Sequence, residues 1–106
     1  MKYSIIISPK SKNSNATVHA LRFIKSILKQ NHHYVSVFFY GYAVKNAFVY
    51  DSEWNKLIKS NVSLMACSTI AEKHFFDSEN VDYVKLAGLG QWMESVHNAD
   101  KNIEFV

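Results

Sequence analysis

The sequence predicts a single-domain, three-layer α/β/α fold with a mainly parallel sheet of about five strands. β-branched and apolar segments alternate with segments of helical periodicity, which is the pattern of parallel α/β proteins. One early segment carries the unbroken run Ile5, Ile6 and Ile7, which is typical of a strand covered on both faces. With 106 residues and 48% hydrophobic content, the chain is large enough for one core, so we expect residues 1–106 to form one domain.

The first half of the chain predicts two strands joined by a helix. Residues 2–8 form the first predicted strand, which Pro9 ends. Asn15 is a suitable N-cap for a helix over about residues 16–31, where apolar residues recur at helical spacing. Residues 34–40 are β-branched and aromatic, which predicts the second strand.

The second half continues the alternation. The predicted elements are helices at 43–48 and 52–60, a strand at 62–66, a helix at 69–76, a short strand at 83–87, a helix at 90–98 and a last strand at 103–106. The apolar side chains expected to point inward from two of these helices are Trp54, Leu57, Ile58, Leu89, Met93 and Val96. Trp92 is a further candidate for an inward position.

Composition narrows the class of protein. The single cysteine excludes an intramolecular disulfide framework and an all-cysteine metal site, and it suits a reducing compartment. No stretch approaches the roughly 20 apolar residues of a membrane span. We therefore expect a cytoplasmic protein without membrane contact. The net charge of +3 permits an acidic partner but does not require one.

Cys67 is the candidate catalytic residue. It closes the predicted strand 62–66 and precedes a predicted helix, and in parallel sheets such carboxyl ends hold functional groups. Backbone N–H groups converge at a helix start and favour a thiolate there. Ser68 and Thr69 could cap the helix, and Lys73 or His74 could add positive potential. The alternative is that Cys67 is a small buried hydrophobe.

The sequence lacks the residue patterns that metal binding, phosphate binding and cysteine-phosphatase chemistry require. The five histidines show no metal-ligand spacing, so we expect no metal and no cofactor. The loop at 8–15 has no glycine to wrap a phosphate. A cysteine phosphatase would need an arginine where Lys73 stands, because lysine cannot grip phosphate with two parallel hydrogen bonds. His19 and His97 remain open as partners of a Cys–His hydrolase, and no RNA-binding motif predicts direct contact with nucleic acid.

Three segments together resemble the DsrE/TusD-like sulfur-relay family, most closely its TusD branch. They are residues 37–40 with 43–47, residues 62–67 with Ala71, and residues 88–90 with Glu94 and Asp100. Two departures stand out: Ala43 replaces an expected glycine, and Lys73 with His74 replaces the basic-plus-glycine end of the helix.

The resemblance implies a sulfurtransferase subunit whose Cys67 carries persulfide sulfur. It implies a TusA-like donor, a TusE-like acceptor and two related TusB/TusC-like subunits in a hetero-oligomer. The sulfur would end in 2-thiouridine at the wobble position of tRNA, or, in the DsrE branch, in sulfur oxidation. This role favours an exposed Cys67, because exchange requires access to the thiolate.

A non-catalytic interaction subunit is the competing hypothesis. It rests on the aromatic residues near the second strand, which are Tyr40, Tyr42, Phe48, Tyr50 and Trp54. A buried Cys67 would favour it. The predicted first helix also carries Arg22, Lys25 and Lys29 on one face, which is either a solvated surface or a docking stripe.

Overall fold

The computed structural model describes residues 1–30 and 32–106 and places five strands in one sheet. The strands are β1 (Lys2–Ile7), β2 (Tyr34–Phe39), β3 (Val62–Cys67), β4 (Lys85–Ala87) and β5 (Lys101–Phe105), in the order β4-β3-β2-β1-β5. Every strand pair of this sheet is parallel. The predicted α/β/α class with about five strands is confirmed.

Helices connect the strands. They are α1 (Ala16–Ile27), α2 (Ser52–Leu57), α3 (Ser68–His74) and α4 (Leu89–Asn98), with 3₁₀ helices at Gly41–Ala47 and Ile58–Ser60. Helix α1 ends four residues before its predicted end at Asn31, which lies outside the described residues. Because Asn61 takes a left-handed conformation with φ 64°, the chain turns from α2 into β3 there.

The helices divide unequally between the two faces of the sheet. Strands β1 to β4 are added one after another in the same direction, and β5 then lies at the opposite edge of the sheet, beside β1. Because parallel connections are right-handed, α1, α2 and α3 lie on one face of the sheet and α4 lies on the other. Two aromatic contacts mark these faces. Trp54 of α2 packs edge-on against Phe39 at 5.1 Å, and Trp92 of α4 stacks on Phe38 at 6.1 Å. Successive strand residues point to opposite faces, so the two contacts lie in different layers.

The face under α1, α2 and α3 is the more apolar one. Its strand residues include Ile5, Ile7, Val37 and Phe39, each without exposed surface. Trp54 lies over them with 2% of its surface exposed, as predicted. Ile58 was predicted inward as well, and this is wrong: it is 42% exposed. The α-helix gives way to a 3₁₀ helix at Ile58, and that change in winding moves the side chain off the buried face.

The face under α4 contains a polar row at its centre. Ser4, Ser36 and Ser63 are paired in register across three strands. The Ser4 hydroxyl, which is buried, donates to Ser95 Oγ of α4 at 3.0 Å, while Ser95 Oγ donates to the Trp92 carbonyl at 2.7 Å. These bonds satisfy the buried hydroxyls under the helix.

Helix α4 contacts the sheet through fewer side chains than its sequence predicts. Trp92, Ser95 and Val96 are partly buried, whereas Leu89 is 51% and Met93 56% exposed. The inward prediction for Leu89 and Met93 is therefore wrong. Among the described residues no other helix lies in the layer of α4, so the sides of its apolar stripe face solvent.

No helix in the described parts of the chain is both long and apolar enough to cross a membrane.

We expect Trp54→Ala to lower the free energy of unfolding by about 3–5 kcal/mol, because it removes a large buried ring from a closed core. Ile58→Ala, at a side chain that is 42% exposed, is the control and should cost about 1 kcal/mol or less. Urea unfolding followed by circular dichroism measures both. Equal losses for the two variants would contradict the packing described.

A second test concerns the ion pair that joins α1 to α2. Lys25 Nζ lies 2.7 Å from Glu53 Oε1, and Lys56 Nζ lies 3.5 Å from Glu53 Oε2. The hydrogen bond and charge of Lys25, and then the charge of Lys56, lower the pKa of Glu53. A lowered carboxyl pKa stabilises the fold above the unfolded-state pKa, and this stability is lost as pH falls through the folded-state value.

Glu53→Gln should therefore show a smaller loss of stability than the wild type between neutral pH and about pH 3. Urea unfolding midpoints measured over this pH range at low salt give the comparison. Glu94→Gln, at an exposed carboxylate on α4, is the matched control. A Glu53→Gln curve parallel to that of the wild type would show that the ion pair contributes nothing.

Candidate functional site

Cys67 lies at the junction that its sequence position predicts. It is the last residue of β3 and the N-cap of α3, with φ −61° and ψ 115°. The cysteine pairs with Ala87, the last residue of β4. On its other side Tyr40 follows β2 at the same level, since Phe39 pairs with Ala66. The thiol therefore belongs to the carboxyl edge of the sheet, between two neighbouring strands.

The side chain of Cys67 faces the α4 layer. Met65 and Cys67 are two residues apart in β3, so their side chains lie on the same face of the sheet. Phe38, which pairs with Met65, is on this face too, and its ring stacks on Trp92 of α4. Tyr40 continues this face, with its ring 6.2 Å from that of Phe38. This aromatic row was not predicted from the sequence. The alternation of aromatic residues at positions 38 and 40 was the signal that could have revealed it.

The thiol is buried, which corrects the expectation of an exposed Cys67. Only 2% of the residue's surface is accessible, and it joins the hydrophobic core. Cys67 does not lie on an edge strand, because β4 pairs beside β3 at this point, and its neighbour Ala87 is itself 3% exposed. The burial matches the alternative in which Cys67 is a small core residue.

The charged and capping groups predicted for this thiol lie elsewhere. Neither Ser68 nor Thr69 caps α3, which has no side-chain cap among the described residues. Lys73 and His74 occupy the exposed last turn, about 9 Å along the helix axis from Cys67. The structure thus places no lysine or histidine of α3 beside the sulfur.

The two histidines considered for a Cys–His pair are also distant from the thiol. His19 belongs to α1, on the opposite face of the sheet. His97 is in the last turn of α4, about 12 Å along the axis from Leu89 at the carboxyl edge. The geometry therefore gives no support to a Cys–His hydrolase.

Glycines and exposed apolar side chains surround the edge on which Cys67 lies. Gly41, directly after Tyr40, has φ +59°, a conformation that favours glycine. A Cβ added at Gly41 or at Gly88 would meet no atom within 4 Å, so both glycines border open space. Tyr42 and Leu89 are half exposed at this edge. An apolar surface of this kind suits contact with a protein.

Two grooves on the described surface lie away from Cys67. The larger, of about 380 Å³, opens at the amino ends of the strands and is lined in part by Ser36, Ser63 and Ser95. Ser63 is four strand residues from Cys67, which is about 13 Å. A second groove of about 280 Å³ lies beside Trp92 and Glu104. Cys67 lines neither of them.

Within residues 1–30 and 32–106, no three His, Cys, Asp or Glu side chains are grouped so that they could hold a metal ion.

The fold and the site define a small parallel α/β protein with its one thiol at a strand-to-helix junction. The profile of the DsrE/DsrF-like family matches residues 1–105. The chain therefore belongs to the DsrE/DsrF-like family, which is implicated in sulfur relay.

Solved structures show the same fold. The YchN protein from E. coli superimposes with a TM-score of 0.83 at 18% identity, over 99% of this chain and 100% of that chain. MTH1491 from Methanobacterium thermoautotrophicum, a protein of unknown function, gives a TM-score of 0.75 at 14% identity, over 96% and 97% of the two chains. Among curated proteins the sequence has no significant match.

Alkylation of the one thiol tests its burial. We expect iodoacetamide to modify Cys67 at least about tenfold more slowly in the folded protein than in urea, because the reagent needs an accessible thiolate. A matched control combines Cys67→Ser with Thr69→Cys, which moves the thiol to an exposed position in the first turn of α3. The control should react quickly in the folded state. Equal folded and unfolded rates for Cys67 would contradict its burial.

Proposed function

We propose that this chain is a persulfide sulfurtransferase subunit that receives sulfur on Cys67 and passes it to a cysteine of another protein. The observation that carries this proposal is the position of Cys67, at the end of the parallel strand β3 and the start of α3, in a chain of a family implicated in sulfur relay. Groups at such carboxyl ends face the region where α/β proteins place their reactive residues.

The chemistry is two thiol exchanges. The Cys67 thiolate attacks the outer sulfur of a donor persulfide, R–S–SH; a bond forms between Sγ and this sulfur, the donor S–S bond breaks, and the donor leaves as a thiolate. The proton stays on the transferred sulfur. An acceptor thiolate then attacks the same outer sulfur, and Cys67 returns to its thiolate. Electrons balance in both steps, so no cofactor is required.

The burial of Cys67 shapes this proposal. A persulfide extends the side chain by one S–S bond of about 2 Å, so the transferable sulfur lies beyond Sγ. The core around Sγ, meanwhile, separates it from thiols in solution. Transfer then depends on a partner that docks at the carboxyl edge, where Tyr42 and Leu89 are exposed.

The finer assignment rests on the resemblance to the TusD branch. Under this assignment, a TusA-like protein is the sulfur donor and a TusE-like protein is the acceptor. Two TusB/TusC-like subunits complete a hetero-oligomer in the cytoplasm. The sulfur passes into 2-thiouridine at the tRNA wobble position without contact between this chain and the tRNA. Sulfur oxidation of the DsrE type is the other destination for the same step.

A structural subunit without a catalytic role is the second candidate. Two observations favour it: Cys67 is 2% exposed, and Tyr42 and Tyr50 are 50% and 65% exposed. Exposed aromatic side chains are common in protein interfaces. Trp54, included among these aromatics from the sequence, belongs to the core and carries no weight here.

Mass spectrometry separates the candidates. After incubation with a persulfide-loaded TusA-like donor protein and gel filtration, we expect a gain of one sulfur atom, about 32 Da, on the wild type and none on Cys67→Ser. A Cys67→Ser/Ser63→Cys variant, with a thiol on the same strand and face, controls for nonspecific persulfidation.

The second stage presents the loaded protein to a TusE-like acceptor, and the added mass should move to the acceptor. No adduct on the wild type, or an equal adduct on Cys67→Ser, would reject the sulfurtransferase and leave the structural subunit. An adduct that forms and transfers to sulfur-oxidation acceptors alone would reject the tRNA branch.

A further inference from the structure

Tyr40 lies beside Cys67 at the carboxyl edge of the sheet, on the side away from β4. Strands β2 and β3 are parallel and their register pairs Phe39 with Ala66, so the next residues along them, Tyr40 and Cys67, are neighbours. The backbone of Tyr40 is still extended, with φ −128° and ψ 153°, and its N–H donates to the Ile7 carbonyl of β1 at 2.9 Å. Tyr40 therefore continues β2, at the usual strand spacing of about 5 Å from Cys67.

The side chains of Tyr40 and Cys67 share one face of the sheet. Tyr40 follows Phe38 by two residues, Cys67 follows Met65 by two residues, and Phe38 pairs with Met65. Since side chains alternate along a strand, all four side chains lie on the face that α4 covers. The tyrosine ring and the thiol are thus side by side in one layer.

Stacking holds the Tyr40 ring in this layer. Its centroid is 6.2 Å from that of Phe38, with 26° between the ring planes, and Phe38 stacks in turn on Trp92 of α4. Aromatic rings at such distances attract each other. The stack therefore fixes the Tyr40 ring in a row that runs from α4 to the edge on which Cys67 lies.

The two neighbours of Cys67 in the sheet differ in size. On the side of β4 the paired residue is Ala87, whose methyl group is smaller than the thiol and reaches no further from the sheet. On the side of β2 the tyrosine ring reaches well beyond the sulfur. Tyr40 is 37% exposed, whereas Cys67 is 2% exposed. Of these two neighbours, the one with a side chain large enough to cover the sulfur is Tyr40.

This cover bears on which thiols can remove a sulfur atom carried on Cys67. The outer sulfur of a persulfide lies about 2 Å beyond Sγ, so it stays beside the ring, where a contact between sulfur and an aromatic ring is favourable. An acceptor thiolate must reach this sulfur to take it. Because open space borders Gly41, the residue after Tyr40, the ring has room to move when a protein docks at the edge.

We propose that Tyr40 is the specificity-determining residue of the thiol site. Its ring covers Cys67 and the sulfur carried there against small thiols such as glutathione, and a docked acceptor protein displaces the ring. The role in specificity rests on the proposed sulfur transfer. The cover itself concerns access to the thiol, so it is measured without any persulfide.

Alkylation of the folded protein by iodoacetamide measures the cover. We expect Tyr40→Ala to raise the alkylation rate of Cys67 about tenfold or more, because the reagent then reaches the thiol. Tyr40→Phe keeps the ring and should react like the wild type.

Tyr34→Ala is the matched control for the alkylation. Tyr34 belongs to the same strand and face as Tyr40 and is 54% exposed. It lies six residues from Tyr40, which is about 20 Å along the strand. Its removal should leave the alkylation rate of Cys67 unchanged.

Low concentrations of urea distinguish a removed cover from a loosened strand. A thiol that reacts only through local opening reacts faster as urea rises, because opening exposes new surface. The thiol of Tyr40→Ala should instead react at a rate that urea leaves unchanged below the unfolding transition. A rate that rises with urea in Tyr40→Ala would mean that the substitution loosens the fold, and it would overturn the proposal.

The persulfide tests the specificity. The wild type and Tyr40→Ala are loaded by the donor protein and incubated with glutathione, and mass spectrometry follows the loss of the added sulfur. We expect this loss to be about tenfold or more faster in Tyr40→Ala, and the transfer to the TusE-like acceptor to change by less than about threefold.

Three further results would overturn the proposal. They are an alkylation rate that Tyr40→Ala leaves unchanged, a Tyr40→Phe variant that reacts as fast as Tyr40→Ala, and equal loss of sulfur to glutathione from the wild type and Tyr40→Ala. A wild type that takes no sulfur from the donor rejects the sulfurtransferase, and the role in specificity falls with it. The alkylation rates then still show whether the ring covers the thiol.

Discussion

The crossing from β4 to β5 is the constraint on which the rest of the structure depends. Three consecutive steps in one direction place three helices on one face of a parallel sheet, and the return step leaves a single helix for the other. One face is therefore closed and apolar. The other is thin, with a serine row at its centre and half-exposed apolar residues on α4. Because Cys67 faces this thin layer, the topology also decides what surrounds the thiol.

Local pattern was sufficient to predict the order and type of the elements. An apolar run and an alternating aromatic segment define β1 and β2, and the junction at Cys67 follows from the change from strand to helical pattern. These features depend on neighbours along the chain, which a sequence shows directly. The prediction of a parallel sheet follows from their alternation with helices.

The environment of the site depended on residues far apart in sequence. The neighbour of Cys67 in the sheet is β4, some 20 residues later in the chain, and a three-residue strand gives a weak sequence signal. Leu89 and Met93 have inward spacing, but helical periodicity does not reveal that α4 lies alone on its face. Ser68 and Thr69 have capping side chains, yet the strand runs one residue further than predicted and makes Cys67 the N-cap.

The length of β4 has a consequence for the chemistry of the thiol. Three residue pairs hold this strand on β3, and the last of them is Cys67 with Ala87. Short edge strands open locally at a lower free energy than the whole domain unfolds. We therefore expect the reactivity of Cys67 to follow a local opening equilibrium at the edge of the sheet, which substitutions in the three residues of β4 would change without altering the cysteine.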